Sequence, residues 1–411
     1  LYNLDMSSQV KGIRISYAQA VHDDKERKRI LSVLDEHRTI MGKETREFEE
    51  RTAENFGKKF GILVNSGSSA NTLAFDLMDL PKGSEVITPL LTFSTTVAPI
   101  VRAGLIPVFA DVEQGTYNIN VDQVEKLITK KTKALMIPLL LGNVPDIARL
   151  KKLAKKHKLF FVEDSCDKYG ATFDKKPTGT YTDITTTSFY GSHIITAGGG
   201  GGMILVNNLT WKDRANMLRG WGRSSSLFSE SEAVKDRFKV KLDGMEYDAK
   251  FIFDEIGYNY LHPEMGAAFG NAQLDKLKTF KKRRGHCFNT LLKFFKPYEH
   301  LFILPKQDPR VSTQWLAFPL TLKENAPFTR LSLVKYLEEN NIQTRPIFTG
   351  NILKQPAFKN IKHRIYKNGF KVTEEIMQRG LLIGCHHGLT DEQLTCMQEV
   401  FSSFLKKYKA L

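Results

Sequence analysis

The chain has 411 residues, 41% of them hydrophobic and 26% charged; the length suits a large domain with a smaller companion, and the composition excludes a disordered or fibrous protein. Its 60 basic and 45 acidic residues give a net charge of +15, which suits anionic partners such as nucleotides or phosphates without choosing among them. Four cysteines, at positions 166, 287, 385 and 396, form no CxC or CxxC pair, so neither a zinc site nor a disulfide framework is indicated.

The opening LYNLDMSSQVKG carries no apolar signal segment, and the longest apolar stretches, such as 134–141, fall far short of a bilayer span. The expectation is a cytoplasmic protein without a membrane partner. From about residue 60 to 206, apolar β-rich runs (FGILVNS, SEVITP, IPVFADV, KALMIPLLL, KLFFVED, TTTSFYG, GGMILVN) alternate with amphipathic stretches such as DIARLKKLAKKHK. Short continuous apolar runs fit strands covered on both faces, so the alternation predicts an α/β fold: a mostly parallel central sheet with helices on both sides. Ligands in such folds gather beyond the carboxyl ends of the strands.

After residue 206, RSSSLFSESEAVKDRFKVKLDG reads as an exposed excursion. A helical run beginning near His262 carries QLDKLKTFKKRRGHCFNTLLKFF. Its basic cluster reads as the solvated face of a connector, because no aromatic residues interleave as a nucleic-acid groove would ask. Residues from about 301 onward alternate strands and helices again. The expected division is a large domain with an N-terminal segment over 1–280 and a smaller C-terminal α/β domain over 281–411.

Three segments carry chemistry. Asn65-Ser66-Gly67-Ser68-Ser69-Ala70-Asn71 follows a strand and opens a helical pattern, where backbone N–H groups can approach a phosphate. By itself it reads better as a capped strand-to-helix turn, since Ser and Gly are common at helix starts, and it lacks the GK[ST] ending of a Walker loop. Glu163-Asp164-Ser165-Cys166-Asp167 ends the strand KLFFV. There the Asp164 carboxylate could hold a protonated pyridine nitrogen or simply cap the next segment. Phe93, in TPLLTFSTT, could stack on such a ring or belong to the core. The third segment runs from Thr187 through Ser188 and His193 to Gly198, followed by four more glycines.

Read together, NSGSSAN, TFSTT, PVFADV, VEDSCD, SFYGSHIITAGGGG and GYNYLHPEMGAAFGNAQL resemble the DegT/DnrJ family of pyridoxal phosphate enzymes that modify nucleotide-linked sugars, from roughly residue 15 to 395. The resemblance implies a fold type I aminotransferase architecture. In that family the position of His193 normally holds the lysine that tethers the cofactor, and this chain has no lysine between Lys176 and Lys212. Histidine there is similar to the sugar 3-dehydratases of the colitose and ascarylose pathways. TRPIFTGN, from Thr344 to Asn351, followed by Gln355-Pro356, resembles the small-domain signature of the same branch.

The resemblance implies that Gly67, Ser68, Ser69 and Ser188 hold the cofactor at its phosphate, that Asp164 partners the ring nitrogen, and that Phe93 stacks on the ring. It also implies that Asn259 reaches the phosphate from a neighbouring subunit, hence a homodimer with shared active sites. The implied cofactor is pyridoxamine phosphate, interconverting with pyridoxal phosphate. The implied substrate is a nucleotide-linked 4-keto-6-deoxyhexose, from which His193 as acid and base would help remove the 3-hydroxyl, with an amino donor such as glutamate restoring the amine. Arg219, Arg223 and Arg345 are candidates for the sugar diphosphate or the donor's carboxylate. The cysteine spacing leaves no iron-sulfur cluster expected, and no metal or nucleic-acid partner is expected.

Two features depart from the pattern. The glycines from Gly198 to Gly202 are unbroken where relatives carry an acidic residue, and Lys168 stands close behind Asp164, where we expect it to face solvent. If Lys168 instead served as the tether, the chain would be an ordinary sugar aminotransferase. A non-catalytic nucleotide-sugar-binding relative is the alternative from another class.

Overall fold

The computed structural model describes residues 14–228 and 233–408. Seven strands make the body of the large sheet: β1 (Phe60–Val64), β2 (Glu85–Pro89), β3 (Ile106–Ala110), β4 (Thr132–Pro138), β5 (Phe160–Asp164), β6 (Ile184–Ser188) and β7 (Gly202–Val206). Their spatial order is β1-β7-β6-β5-β4-β2-β3, and the short strand Arg364–Ile365 extends the β3 edge. β7 runs antiparallel to both its neighbours, and the other pairings are parallel.

The apolar runs become strands because both faces of the sheet are covered. Residues alternate across a strand, so Leu135 and Ile137 of β4 face a core with Leu150 and Leu153 of the helix Ile147–His157. Ala134 and Met136 face the opposite core with Leu73 and Leu77 of the helix Gly67–Met78. Such two-sided burial leaves the carboxyl ends of β4, β5 and β6 as the open edge, where the functional segments sit.

The second unit is a four-stranded antiparallel sheet of Phe302–Ile303, Phe318–Leu322, Gly380–Ile383 and Thr344–Arg345, in that order. Helices Leu277–Phe295, Arg330–Glu339 and Asp391–Lys407 supply Phe295, Leu333 and Phe401 to its core. Ile15 lies in the same core and bridges Ile342, so the chain's early segment reaches across to this unit. Position 280/281 falls within the helix Leu277–Phe295.

The basic cluster in that helix needs a correction. Arg283 lies at the surface and donates to Asp391 at 2.8 Å, but Arg284 is only 1% exposed. Its Nη1 donates to the carbonyls of Trp315 (3.1 Å), Leu316 (3.2 Å) and Cys385 (3.1 Å), and its Nε to His387 Nδ1 (3.1 Å). The helix turn directs Arg284 into the seam between the units, where carbonyls that would otherwise be buried unpaired accept its donors.

The expected excursion over 223–244 lies partly outside the described residues, at 229–232; its described part includes an exposed hairpin of Val240–Leu242 and Met245–Tyr247. Among the described residues no helix is long and apolar enough to cross a membrane.

Candidate active site

The open edge of β4, β5 and β6 and the facing side of the second unit enclose a cavity of about 640 Å³. Ser66, Gly67, Ser68, Phe93, Asp164, Cys166, Asp167, Ser188 and His193 line it from the large sheet, and Leu316, Arg345, Phe348, Thr349 and Gln355 from the other side.

β1 delivers Ser66 to the N-cap of the helix Gly67–Met78, where its Oγ accepts from Ser69 N at 3.1 Å. The remaining first-turn N–H groups have no acceptor within the helix, and the positive end of its dipole points at the cavity, which favours an anion. Glycine is required at this corner. A Cβ on Gly67 would lie 2.8 Å from both Cys166 Sγ and Ser188 Cβ, and one on Gly202 would lie 2.2 Å from the Ser66 carbonyl carbon. β7 therefore presses against the helix start, and the corner stays open for a ligand.

Asp164 is the last residue of β5 and 6% exposed. Its Oδ2 accepts from Asn71 Nδ2 and Thr96 Oγ1, both at 2.9 Å, while Oδ1 has only the longer bond from Cys166 N at 3.2 Å. One oxygen is thus anchored and the other left for a ligand. Asp167 Oδ2 accepts from Leu141 N at 3.0 Å. Burial, and then the negative charge of Asp164, push the Asp167 carboxyl up to about 7.

His193 Nδ1 lies 3.3 Å from the Ser188 carbonyl, so the tautomer that fits donates from Nδ1 and keeps a lone pair on Nε2. Burial pushes the imidazole down to about 4, against the raising effect of the Ser188 carbonyl; Arg284 lowers it further and Asp164 raises it. The ring is half-buried with its free edge facing the cavity, and the imidazole is neutral at physiological pH.

Of the residues singled out in the sequence, Gly67, Ser68, Phe93, Asp164, Ser188, His193 and Arg345 come together here. Phe93 is 53% exposed and meets Phe348 edge-on at 6.4 Å. Arg345 Nη1 donates to the Thr344 carbonyl at 2.7 Å, and its guanidinium lies 5.7 Å from the Tyr17 ring.

Ser69 sits beneath the corner instead, donating from Oγ to Asn65 Oδ1 at 2.7 Å. Arg219 does not line the cavity: its Nη1 is taken by Glu49 Oε1 and the Leu63 carbonyl, both at 2.7 Å. Arg223 also stands apart, 4.3 Å from the Trp221 ring and close to Phe251 and Phe253. Asn259, bridged to Gly220, accepts from Leu261 N at 3.4 Å, away from the cavity of its own chain.

Lys168 does not face solvent. Its side chain has 0% exposure and its Nζ pairs with Glu163 Oε1 at 3.2 Å, on the other side of β5 from Asp164. Adjacent strand residues point to opposite faces, so the lysine that pairs with Glu163 is turned away from the ligand edge. Among the described residues no lysine lines the cavity.

Tyr17, which is half-buried, and Asp167 were not singled out from the sequence. Asp167 lay within the quoted VEDSCD segment, whereas nothing local marks Tyr17. A second cavity, of about 530 Å³, is lined by Asp76, Arg214 and Glu255 and holds none of the motif residues; its Arg214 is already paired with Glu255 at 2.9 Å.

An anion-binding helix start, a carboxylate at depth and an aromatic wall fit a pyridine ring that carries a phosphate, and Gly67 keeps the corner open for it. Residues 21–402 match the DegT/DnrJ/EryC1/StrS aminotransferase family. The chain is 36% identical over 399 residues to dTDP-4-dehydro-2,6-dideoxy-D-glucose 3-dehydratase of Saccharopolyspora spinosa, covering 94% of this chain and 86% of that one. Its structure is similar to that of the E. coli GDP-4-keto-6-deoxy-D-mannose-3-dehydratase with bound hydrated PLP (pyridoxal phosphate), with a TM-score of 0.84, 30% identity and coverage of 94% and 99%. A GDP-4-keto-6-deoxymannose-3-dehydratase with a trapped PLP-glutamate geminal diamine matches at a TM-score of 0.84, 29% identity and the same coverage. This chain belongs to the DegT/DnrJ/EryC1/StrS aminotransferase family.

Proposed function

We propose that the chain is a 3-dehydratase that uses pyridoxamine phosphate to remove the 3-hydroxyl of a nucleotide-linked 4-keto-6-deoxyhexose, giving a 4-keto-3,6-dideoxy sugar. The observation that carries this reading is a neutral His193 in a cavity shared with Asp164 and lined by no lysine among the described residues. Two similar proteins are named 3-dehydratases of such sugars, and the structure of one holds bound hydrated PLP.

When bound, the cofactor supplies an amine to condense with the C-4 ketone and a ring that accepts the electrons released at the adjacent carbon. The protein does the rest. Gly67, Ser68 and Ser188 would hold the phosphate at the helix start, with Ser69 bracing the turn from beneath. Asp164 would keep the ring nitrogen protonated through its free oxygen, and Phe93 would pack against the ring. Nε2 of His193 would take the proton released at the carbon bearing the cofactor's amine and pass it to the 3-hydroxyl, which leaves as water; a histidine pushed down to about 4 is a strong donor once protonated.

A glutamate-like donor restores the amine, in keeping with the PLP-glutamate adduct of one neighbour, and Arg345 is placed to receive its carboxylate or the sugar diphosphate. Asn259 stands outside its own cavity and would serve that of a second copy, which makes the working form a homodimer in the cytoplasm.

The test is incubation with pyridoxamine phosphate, glutamate and, separately, GDP-, CDP- and dTDP-linked 4-keto-6-deoxyhexoses, with mass spectrometry of the products. Loss of the 3-oxygen is expected from one nucleotide series, and none from His193→Asn. Amino-sugar formation without deoxygenation, or full deoxygenation by the asparagine variant, would overturn the reading.

A further inference from the structure

Lys168 is a charged residue close behind the site to which the proposed chemistry gives no role, and its surroundings are unusual. Lys168 and Glu163 each have 0% side-chain exposure. Lys168 Nζ donates to Glu163 Oε1 at 3.2 Å and to Thr178 Oγ1 at 2.6 Å, and Thr178 Oγ1 donates to the same carboxylate oxygen at 2.6 Å. Ser165 Oγ also donates to Oε1, and Thr185 Oγ1 donates to Oε2 at 3.2 Å. Phe56 closes the far side, its ring centre 5.5 Å from Nζ.

A buried ion pair of this kind costs desolvation on both sides and adds little net stability, so its retention asks for another explanation. Its two ends supply one. Glu163 precedes Asp164 on β5, and Lys168 follows Asp167. Between them the chain makes a single turn, closed by Lys168 N donating to the Ser165 carbonyl at 3.2 Å and by Cys166 N donating to Asp164 Oδ1 at 3.2 Å. Asp164, Cys166 and Asp167 face the cavity from the front of that turn, while Glu163 and Lys168 are joined behind it. The anchor therefore holds from the rear the loop that presents both cavity carboxylates.

We infer that Lys168, through its buried pair with Glu163 and Thr178, is a positioning residue that sets the Asp164–Asp167 turn, and with it the strength of the carboxylate contact to the ring nitrogen of a bound pyridine cofactor. This rests on the assignment of Asp164 to that nitrogen. Lys168→Met leaves the Glu163 carboxylate buried without its cation, which pulls the turn out of register. Lys168→Met combined with Glu163→Gln removes both charges and lets Thr178 and Ser165 hold the amide.

Two measurements decide it. Hydrogen–deuterium exchange of the peptide over 160–170 in the cofactor-free protein needs no ligand. Faster exchange is expected in Lys168→Met, confined to this peptide, with recovery in the double variant. Fluorescence titration with pyridoxamine phosphate, with a pH titration of the absorption of bound pyridoxal phosphate, reads the consequence. A roughly tenfold weaker affinity and a ring-nitrogen transition shifted to lower pH are expected in Lys168→Met, both returning towards the wild type in the double variant. If Lys168→Met does not fold, the same measurements on Glu163→Gln apply, with the same shifts expected in smaller size. Wild-type exchange over 160–170 with an unshifted transition, in whichever variant folds, overturns the inference. Failure of the wild type itself to bind either cofactor form would instead overturn the cofactor assignment and leave the exchange result to decide the anchor.

Discussion

At the scale of single residues, two titrating groups in one cavity are pushed in opposite directions, and pH separates them. Asp167 has its carboxyl raised to about 7 by burial and by Asp164. Its contribution to stability is present below the unfolded value near 3.8 and is lost as pH rises through about 7. His193, lowered to about 4, contributes stability above its ordinary 6.5 that is lost as pH falls towards 4. Asp167→Asn should therefore melt like the wild type near pH 4 and increasingly above it towards pH 8, by about 1 kcal/mol after discounting for solvent in the cavity. A melting difference that shrinks with rising pH would contradict the raised carboxyl.

At the scale of elements, the phosphate corner depends on how closely a helix start, β6 and β7 approach one another. Gly67→Ala places a methyl 2.8 Å from Ser188 Cβ and Cys166 Sγ, so the helix start must retreat from β6. We expect at least a tenfold loss of affinity for pyridoxamine phosphate, measured by fluorescence titration, with a change in unfolding free energy of only about 1–3 kcal/mol. Ser66→Ala removes the N-cap acceptor of Ser69 N and should cost about 1 kcal/mol in stability, seen as a lowered melting temperature. Sequence reading found this element from its small residues, yet it could not separate Ser68, which lines the cavity, from Ser69, which braces the turn. That distinction follows from the direction of adjacent side chains on a helix whose start is packed on one side.

At the scale of the whole molecule, Arg284 ties the second unit to the seam behind the cavity through three carbonyls, one of them that of Leu316, which lines the cavity. Arg284→Met should leave those acceptors unpaired and destabilise the chain by about 3 kcal/mol, read from urea unfolding, and should raise the KM for the sugar more than it lowers kcat. A silent substitution would show that the carbonyls find other donors. Asn259→Ala in a mixed dimer with His193→Asn should restore one working cavity, whereas a chain acting alone would restore none.

The strands, the mostly parallel character of the sheet and the motif segments at its open edge were legible in the sequence because each shows in a local pattern. Continuous apolar runs mark strands buried on two faces, and Asp164 and His193 stand at fixed places relative to such runs. The absence of a lysine between Lys176 and Lys212 was likewise plain in the letters. What only the tertiary structure decided was the fate of long charged side chains. Lys168 turned inward to Glu163, Arg219 to Glu49 and Arg284 to the seam, since a side chain with four or five rotatable bonds takes its partner from whatever the fold brings near. Tyr17 joined the cavity for the same reason, carried there by an early segment that pairs with the second unit some three hundred residues later.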